Sequence, residues 1–274
     1  MSKGCIMTIG GNLDLYPEQP ILKEFFNRAQ KMTESTPTIA VIPSASASTS
    51  KTGVMYSSVF DSMGANTVII NPENRKGANS DDILNSVDES DAFFLTGGHQ
   101  LRITSLLGGT KMLDKLESRL EEGALFAGTS AGAVCMTTLM ISQDLIDRPF
   151  AYGAVDLSQG LGFIEDFVID THFTIRGRFP RLIHIVCENP SVKGIGIGES
   201  TCAIWDFDEK EFSVIGRGTV AVIDGENIIK NNVPDLELGD TLSVSGITVN
   251  ILGKNCRYNY ETGEVFFPGE DVDE

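Results

Sequence analysis

Basic side chains are scarce in this 274-residue sequence. Twenty-one Lys and Arg stand against 38 Asp and Glu, a formal net charge of −17. Binding a phosphate polymer needs a cationic footprint, so nucleic acid is excluded as an expected partner. Most individual acids read as ordinary solvated surface, although a cationic substrate would be attracted. Cysteine is sparse too. Cys5, Cys135, Cys187, Cys202 and Cys256 are odd in number, scattered and without a C-x-x-C pair. That pattern excludes a disulfide framework or a zinc site and predicts reduced thiols in a cytoplasm. No run of about 18 apolar residues occurs, so no membrane helix is expected. The N-terminal stretch reaches Gly10-Gly11 too soon to hold the apolar segment of a signal peptide.

What is present is enough apolar residue, 41%, for a chain of this length to bury a core without disulfides or metal. Short apolar runs at 5–9, Thr38–Ile42, Thr67–Ile70, Ala92–Leu95 and Leu125–Ala127 read as strands. Between them lie stretches of helical period: 20–32 behind Pro20, Val54–Met63, a short helix capped by Ser80, and Met112–Leu120. Residues 44–51 are small and polar and read as loop. This alternation predicts a mainly parallel sheet with helices on both faces. From about residue 195 the texture changes. Segments 201–205, 211–215, 219–223, 247–252 and 264–267 read as antiparallel strands, with Thr262-Gly263 as a hairpin turn. We expect them to complete one α/β domain spanning 1–274, ending in a frayed acidic tail at 269–274.

The most informative stretch runs from Ala124 to Met136. An apolar strand meets Gly128-Thr129-Ser130-Ala131-Gly132, and small residues suited to a helix follow. The pattern G-x-S-x-G alone is common in turns, but between a strand and a helix it points to a nucleophile. Glycines are needed because a sharp strand-to-helix turn strains the nucleophile's backbone and leaves no room for bulky neighbours. Ser130 would stand at a helix N-terminus, with the Ala131 N–H as one oxyanion donor. Gly97-Gly98 follows another buried strand, and the Gly98 N–H suits the second donor.

A serine nucleophile needs a base, and the chain has three histidines. His184 lies within the apolar stretch Leu182–Val186 and reads as packed or on a helix surface. His99 adjoins the second glycine pair and suits substrate lining. His172 ends an apolar run at a strand's carboxyl end, where α/β sites collect, and is the expected general base. The acid that orients it is either Asp170, two residues away on the same strand face, or Glu199, at the end of a glycine-rich strand. Spacing does not choose between them. Cys135, in the helix after the turn, does not suit a nucleophile. Arg176, Arg178 and Arg181 crowd one segment of an acidic chain, where guanidinium forks could grip carboxylates of a substrate or pair with neighbouring acids.

Several segments together resemble the cyanophycinases, in the serine peptidase family that also includes the α-aspartyl dipeptidases. They are Gly10-Gly11, Thr96–Arg102, Gly128–Ala133, Asp170–Phe173 with Arg176–Arg178 and Arg181, and Gly194–Glu199. The resemblance implies a three-layer αβα sandwich, flavodoxin-like and related to class I glutamine amidotransferases. It implies a triad of Ser130, His172 and Glu199, with Gly98 and Ala131 as oxyanion hole. Substrate would be lined by His99, Gln100, Asp170, Thr171, Arg176, Arg178, Arg181 and Ser200, with Asp170 able to hold a guanidinium. Thr171 and Ser200 depart from the family pattern, where Gln and Asn are usual. The implied activity is hydrolysis of cyanophycin, a β-Asp-Arg polymer, to β-Asp-Arg dipeptides by a homodimer without metal or cofactor. A dipeptidase for short α- or β-aspartyl peptides is the nearest alternative, and a non-catalytic binding protein a more distant one.

Overall fold

A computed structural model describes residues 3–13, 19–33, 35–145, 148 and 150–270. The N-terminal half alternates strand and helix. In order come β1 (Ile6–Ile9), α1 (Pro20–Thr33), β2 (Thr38–Ile42), α2 (Thr49–Met63), β3 (Asn66–Ile69), α3 (Asp81–Asp88) and β4 (Ala92–Leu95). They are followed by α4 (Gln100–Leu107), α5 (Lys111–Glu121), β5 (Leu125–Thr129) and α6 (Ala131–Val134). A hairpin of β6 (Leu139–Asp144) and β7 (Val155–Gln159) leads to β8 (Phe167–Thr171), α7 (Phe179–Glu188) and β9 (Lys193–Ile197). The rest is β: β10 (Thr201–Asp206), β11 (Glu211–Gly216), β12 (Val220–Asp224), β13 (Lys230–Asn231), β14 (Val244–Ser245), β15 (Thr248–Leu252), β16 (Arg257–Asn259) and β17 (Val265–Phe266).

Two sheets carry the structure. The larger runs β17-β16-β11-β10-β1-β5-β4-β2-β3, and the smaller β15-β12-β9-β8. In the larger, β1, β5, β4, β2 and β3 are parallel, whereas β10, β11, β16 and β17 extend the edge beside β1 antiparallel. The late strands expected from the sequence are therefore present and antiparallel. The parallel strands β1, β5, β4 and β2 are covered on both faces, so they read as continuous apolar runs, whereas the edge strand β3 is half exposed. All four residues of β4 are buried, and its two phenylalanines point opposite ways. Phe94 packs with Phe25 of α1 and Phe60 of α2, and Phe93 stacks on Phe126 at 4.7 Å on the face carrying α4 and α5. The result is the expected three layers. The single Trp, Trp205, is buried and donates its indole N–H to Thr8 Oγ1 at 2.9 Å.

Some local expectations shift. Helix α2 starts at Thr49, inside the stretch read as loop, and α4 has too short a pattern to have been read. Ser80 occupies the N-cap of α3, but its hydroxyl donates to Gly77 O at 2.7 Å instead of accepting from the helix. All five cysteines are unpaired. No helix among the described residues is long and apolar enough to cross a membrane. Residues 271–274 of the acidic tail lie outside the described residues.

The two sheets meet at the end of β1. The turn Gly198–Ser200 carries the chain from β9 in the small sheet to β10 in the large one. The loop after β1 is bonded to both sides: Gly10 N–H donates to Thr201 O at 2.9 Å, His172 N–H to Gly10 O at 2.8 Å, and Ser200 N–H to Gly11 O at 3.0 Å. Contact is so close that a Cβ on Gly10 would lie 1.9 Å from Gly198 O. Backbone on both sides leaves nothing flexible to yield. Gly10→Ala should therefore lower stability by about 1–3 kcal/mol, as overpacking does. Chemical denaturation checks this, and an unchanged midpoint would contradict the junction as described.

Candidate active site

Three strand ends supply the central side chains. Ser130 follows β5 of the large sheet, and His172 and Glu199 follow β8 and β9 of the small one. Ser130 has φ 53° and ψ −119°, a region costly for any residue but glycine. The turn is held by the Ser130 N–H donating to Ile9 O at 2.9 Å and by the Ala133 and Val134 N–H groups, both donating to Ser130 O. His172 (φ 51°) and Ser200 (φ 50°) share the left-handed backbone. Each sits where a strand must turn sharply to present its side chain.

The geometry is a chain of short contacts. Ser130 Oγ lies 3.0 Å from His172 Nε2, and His172 Nδ1 lies 2.6 Å from Glu199 Oε1. With Nδ1–H donating to the carboxylate, Nε2 keeps its lone pair for the serine proton, a tautomer assigned from the hydrogen-bond pattern. Asn12 Nδ2 donates to the other carboxylate oxygen, Oε2, at 2.9 Å. The bonds from His172 first and Asn12 second hold the Glu199 carboxyl below the usual glutamate range. Gly11 makes room for the ring, since a Cβ there would lie 2.4 Å from both Cε1 and Nε2 of His172. Asn12 was not legible in the sequence, because a lone Asn after Gly-Gly reads as an ordinary turn residue.

A cavity of about 200 Å³ opens on Ser130. Gly98 and Ala131 line it, and among the described residues no backbone acceptor is bonded to either N–H. A Cβ on Gly98, whose φ is 150°, would lie 2.0 Å from Ala45 O. The loop can run here only with glycine. Gln100, Asp170, Thr171, Arg176, Arg178 and Arg181 also line the cavity. The structure does not bring two expected lining residues to it. His99 is exposed and caps α4, its Nδ1 accepting from the Leu101 N–H at 3.3 Å. The Ser200 hydroxyl is turned onto Asn12 O at 2.7 Å.

Asp170 is not free to hold a substrate guanidinium. Its buried carboxylate accepts from Arg178 Nη1 at 3.1 Å, from Arg181 Nε at 2.6 Å, from Arg181 Nη2, and from the Thr171 N–H at 2.8 Å. Arg181 also reaches Asp144 at 2.6 Å. Asp170 thus fixes the two arginines and does not orient His172. Burial alone would lower the Arg181 guanidinium pKa, but its bonds to Asp170 and Asp144 outweigh burial and raise it. Gln100 Nε2 donates to Ile141 O and Ser142 O, both at 2.8 Å, tying α4 to β6. His184 is packed on α7, 2% exposed, with Nε2 2.9 Å from Glu188 Oε1. The Cys135 thiol is buried and pushed up to about 12, so it is not a nucleophile at neutral pH.

A serine on a strained strand-to-helix turn, backed by an imidazole and a carboxylate on an α/β sheet, is the arrangement of serine hydrolases that act through an acyl-enzyme. Within that class the chain belongs to peptidase family S51, whose model matches residues 6–215. A cyanophycinase from Geminocystis herdmanii is 34% identical over 262 residues, covering 95% of each chain. One from Trichormus variabilis is 34% identical over 94% of this chain and 86% of its own. A peptidase E from Nostoc sp. is 26% identical over 49% of this chain and 56% of its own. Among solved structures, a peptidase from an acI-B1 actinobacterium superposes with a TM-score of 0.65 at 18% identity, over 82% of this chain and 92% of that one. That likeness shows the fold.

Because Glu199 is held below its unfolded value, it adds stability above the ordinary glutamate pKa, and this is lost as pH falls through the folded value. Asn12→Ala removes one of its two donors. The Glu199 titration should move upward toward the usual range and the acid-side loss of stability should shrink. Carbon-13 NMR of the carboxyl checks this, and an unmoved titration would contradict the role given to Asn12.

Proposed function

We propose that this chain hydrolyses cyanophycin-type polymers to β-Asp-Arg dipeptides through an acyl-enzyme on Ser130. The observation that carries the chemistry is the unbroken line Ser130–His172–Glu199 at 3.0 and 2.6 Å. The near full-length identity to cyanophycinases supports the substrate. Releasing β-Asp-Arg leaves the side-chain isopeptide intact, so the bond cleaved is the main-chain amide between successive aspartates.

In the proposed cycle His172 Nε2 takes the Ser130 proton as Oγ attacks the amide carbon. The oxyanion settles against the Gly98 and Ala131 N–H groups. Glu199 holds the Nδ1–H tautomer and stabilises the imidazolium. Collapse breaks the C–N bond, and the Nε2 proton goes to the leaving amine. Water, losing a proton to Nε2, then attacks the acyl carbon and releases the acid while Ser130 regains its proton. Arg176, Arg178 and Arg181 are the groups suited to the substrate's free carboxylates. Scattered free thiols support a reducing cytoplasm as the setting, and family resemblance supports a homodimer.

A second reading is a dipeptidase for short aspartyl peptides. It is favoured by the peptidase E relative and by the small volume at Ser130. Dipeptide release from insoluble cyanophycin, compared with hydrolysis of Asp-X dipeptides, separates the two.

Ser130→Ala should reduce hydrolysis about 10⁴-fold or more while the protein stays folded. Wild-type turnover in that variant would refute the proposal. Ser130→Gly should be equally inactive yet more stable, because glycine relieves a backbone strain of about 1–3 kcal/mol. Its Tm should rise by a few degrees, since about 1 kcal/mol moves a chain of this size about 2–4 °C. A lower Tm would contradict the strained turn.

A further inference from the structure

Gln100 lines the Ser130 cavity, yet neither of its amide hydrogens is available to a substrate. Nε2 donates one to Ile141 O and the other to Ser142 O, each at 2.8 Å. Both partners are carbonyls, so only the nitrogen can face them, and this assigns the carboxamide. In a regular strand, carbonyls of consecutive residues point to opposite edges and cannot meet one nitrogen. Strand β6 is irregular here. Its pairing with β7 steps from Ile141 opposite Leu157 to Gln143 opposite Asp156, leaving Ser142 as the extra residue of a β-bulge. On the β7 side, the Ser142 hydroxyl donates to Asp156, with Oδ2 at 2.7 Å and the main-chain O at 3.0 Å. Ser142 is 2% exposed, so water competes little for these bonds.

The clip joins two parts of the cavity lining. Gln100 opens α4 two residues after Gly98, and the His99 N–H between them is held on Ala45 O at 2.8 Å. Across the clip, Ile141, Ser142, Gln143 and Asp144 line the same cavity, and Asp144 grips Arg181 at 2.6 Å. One carboxamide therefore ties the loop carrying Gly98 to the strand carrying Asp144.

Resting on the reading of Gly98 as an oxyanion donor to the Ser130 intermediate, we propose that Gln100 is a positioning residue: with Asp156 locking the bulge, it fixes the Gly98 N–H relative to β6 and does not act by binding substrate. Its amide hydrogens are spent, and only Oε1 is left, an acceptor that glutamate would also present. The two roles are therefore separable. An oxyanion donor acts on charge that develops in the transition state, so displacing it lowers kcat more than it raises KM. Asp156 does not line the cavity, so its effect on turnover is carried by the bulge.

The test is steady-state hydrolysis of a β-Asp-Arg oligomer by full-length variants, together with the rate of Ser130 labelling by a phosphonyl fluoride, whose oxygen enters the oxyanion position. Gln100→Glu keeps the size and the acceptor but cannot donate, and it sets a charge against two carbonyls. Its kcat should fall about 10²-fold, as for a misplacement of about 1 Å, with KM within about twofold, and labelling should slow in parallel. Asp156→Ala should lower kcat about fivefold, while Asp156→Asn, which still accepts from Ser142, should stay within about twofold of wild type. Asp156 is half-buried, and this pair carries the test should Gln100→Glu not fold. Combining Gln100→Glu with Asp156→Ala should slow turnover no further than Gln100→Glu alone, because both act on one clip. A wild-type kcat in Gln100→Glu, a loss confined to KM, losses that multiply in the double variant, or an Asp156→Asn as slow as Asp156→Ala would overturn the proposal. If the wild type labels at Ser130 but leaves the oligomer intact, the substrate reading fails. Slower labelling of Gln100→Glu would then still support the clip, and equal labelling would overturn it.

Discussion

The loop Gly10–Asn12 is bonded to both sheets, and the distance between Ser130 and His172 depends on it. Ser130 is fixed by Ile9 O, at the end of β1, and His172 by Gly10 O one residue later. Adjacent peptide units of one strand thus hold two side chains that arise from different sheets. Gly11 leaves the space the imidazole fills, and Asn12 completes the shell of the glutamate behind it. Small errors here are expensive, because a misplacement of about 1 Å can cost about 10²-fold in rate. Four non-glycine residues with positive φ, Asn12, Ser130, His172 and Ser200, cluster at this seam. The strain is tolerated because sheet bonds on either side over-determine the turns.

A second constraint is electrostatic. The buried Asp170 carboxylate is surrounded by donors from Arg178, Arg181 and its own chain. Removing Asp170 would take from Arg178 and Arg181 the carboxylate they share, and breaking a buried pair in this way typically costs about 3–5 kcal/mol. The cluster lines the Ser130 cavity. It turns one cleft of a strongly acidic chain cationic, and holds the guanidinium planes in place before any substrate arrives.

Much of this was legible in the sequence, for identifiable reasons. Ala92–Leu95 and Thr38–Ile42 are buried on both faces, so their apolar runs match their strands end to end. Ser130 was legible because a strained turn demands glycines at fixed offsets, and His172 because it ends an apolar strand. Local pattern left Asp170 and Glu199 as equal partners for His172. They separate only in three dimensions, where Asp170 points at Arg178 and Arg181 while Glu199 points at the imidazole. Asn12 was invisible because its role depends on a residue 187 positions away. Ser200 and His99 sat in suggestive segments, yet their side chains are spent on a loop carbonyl and a helix N-terminus. Helix α4 and the β6–β7 hairpin lack strong periodicity and are held instead by tertiary bonds such as those from Gln100.

The central claim is that the seam after β1 sets the imidazole against the serine hydroxyl. Its most direct measurement is the rate at which a small sulfonyl or phosphonyl fluoride labels the protein, with the adduct located by mass spectrometry. The account predicts a single adduct on Ser130 in the wild type. It also predicts labelling about 10²-fold slower in folded Gly11→Ala, whose new methyl would displace the His172 ring. An adduct on another residue, or wild-type labelling of Ser130 in Gly11→Ala, would contradict it.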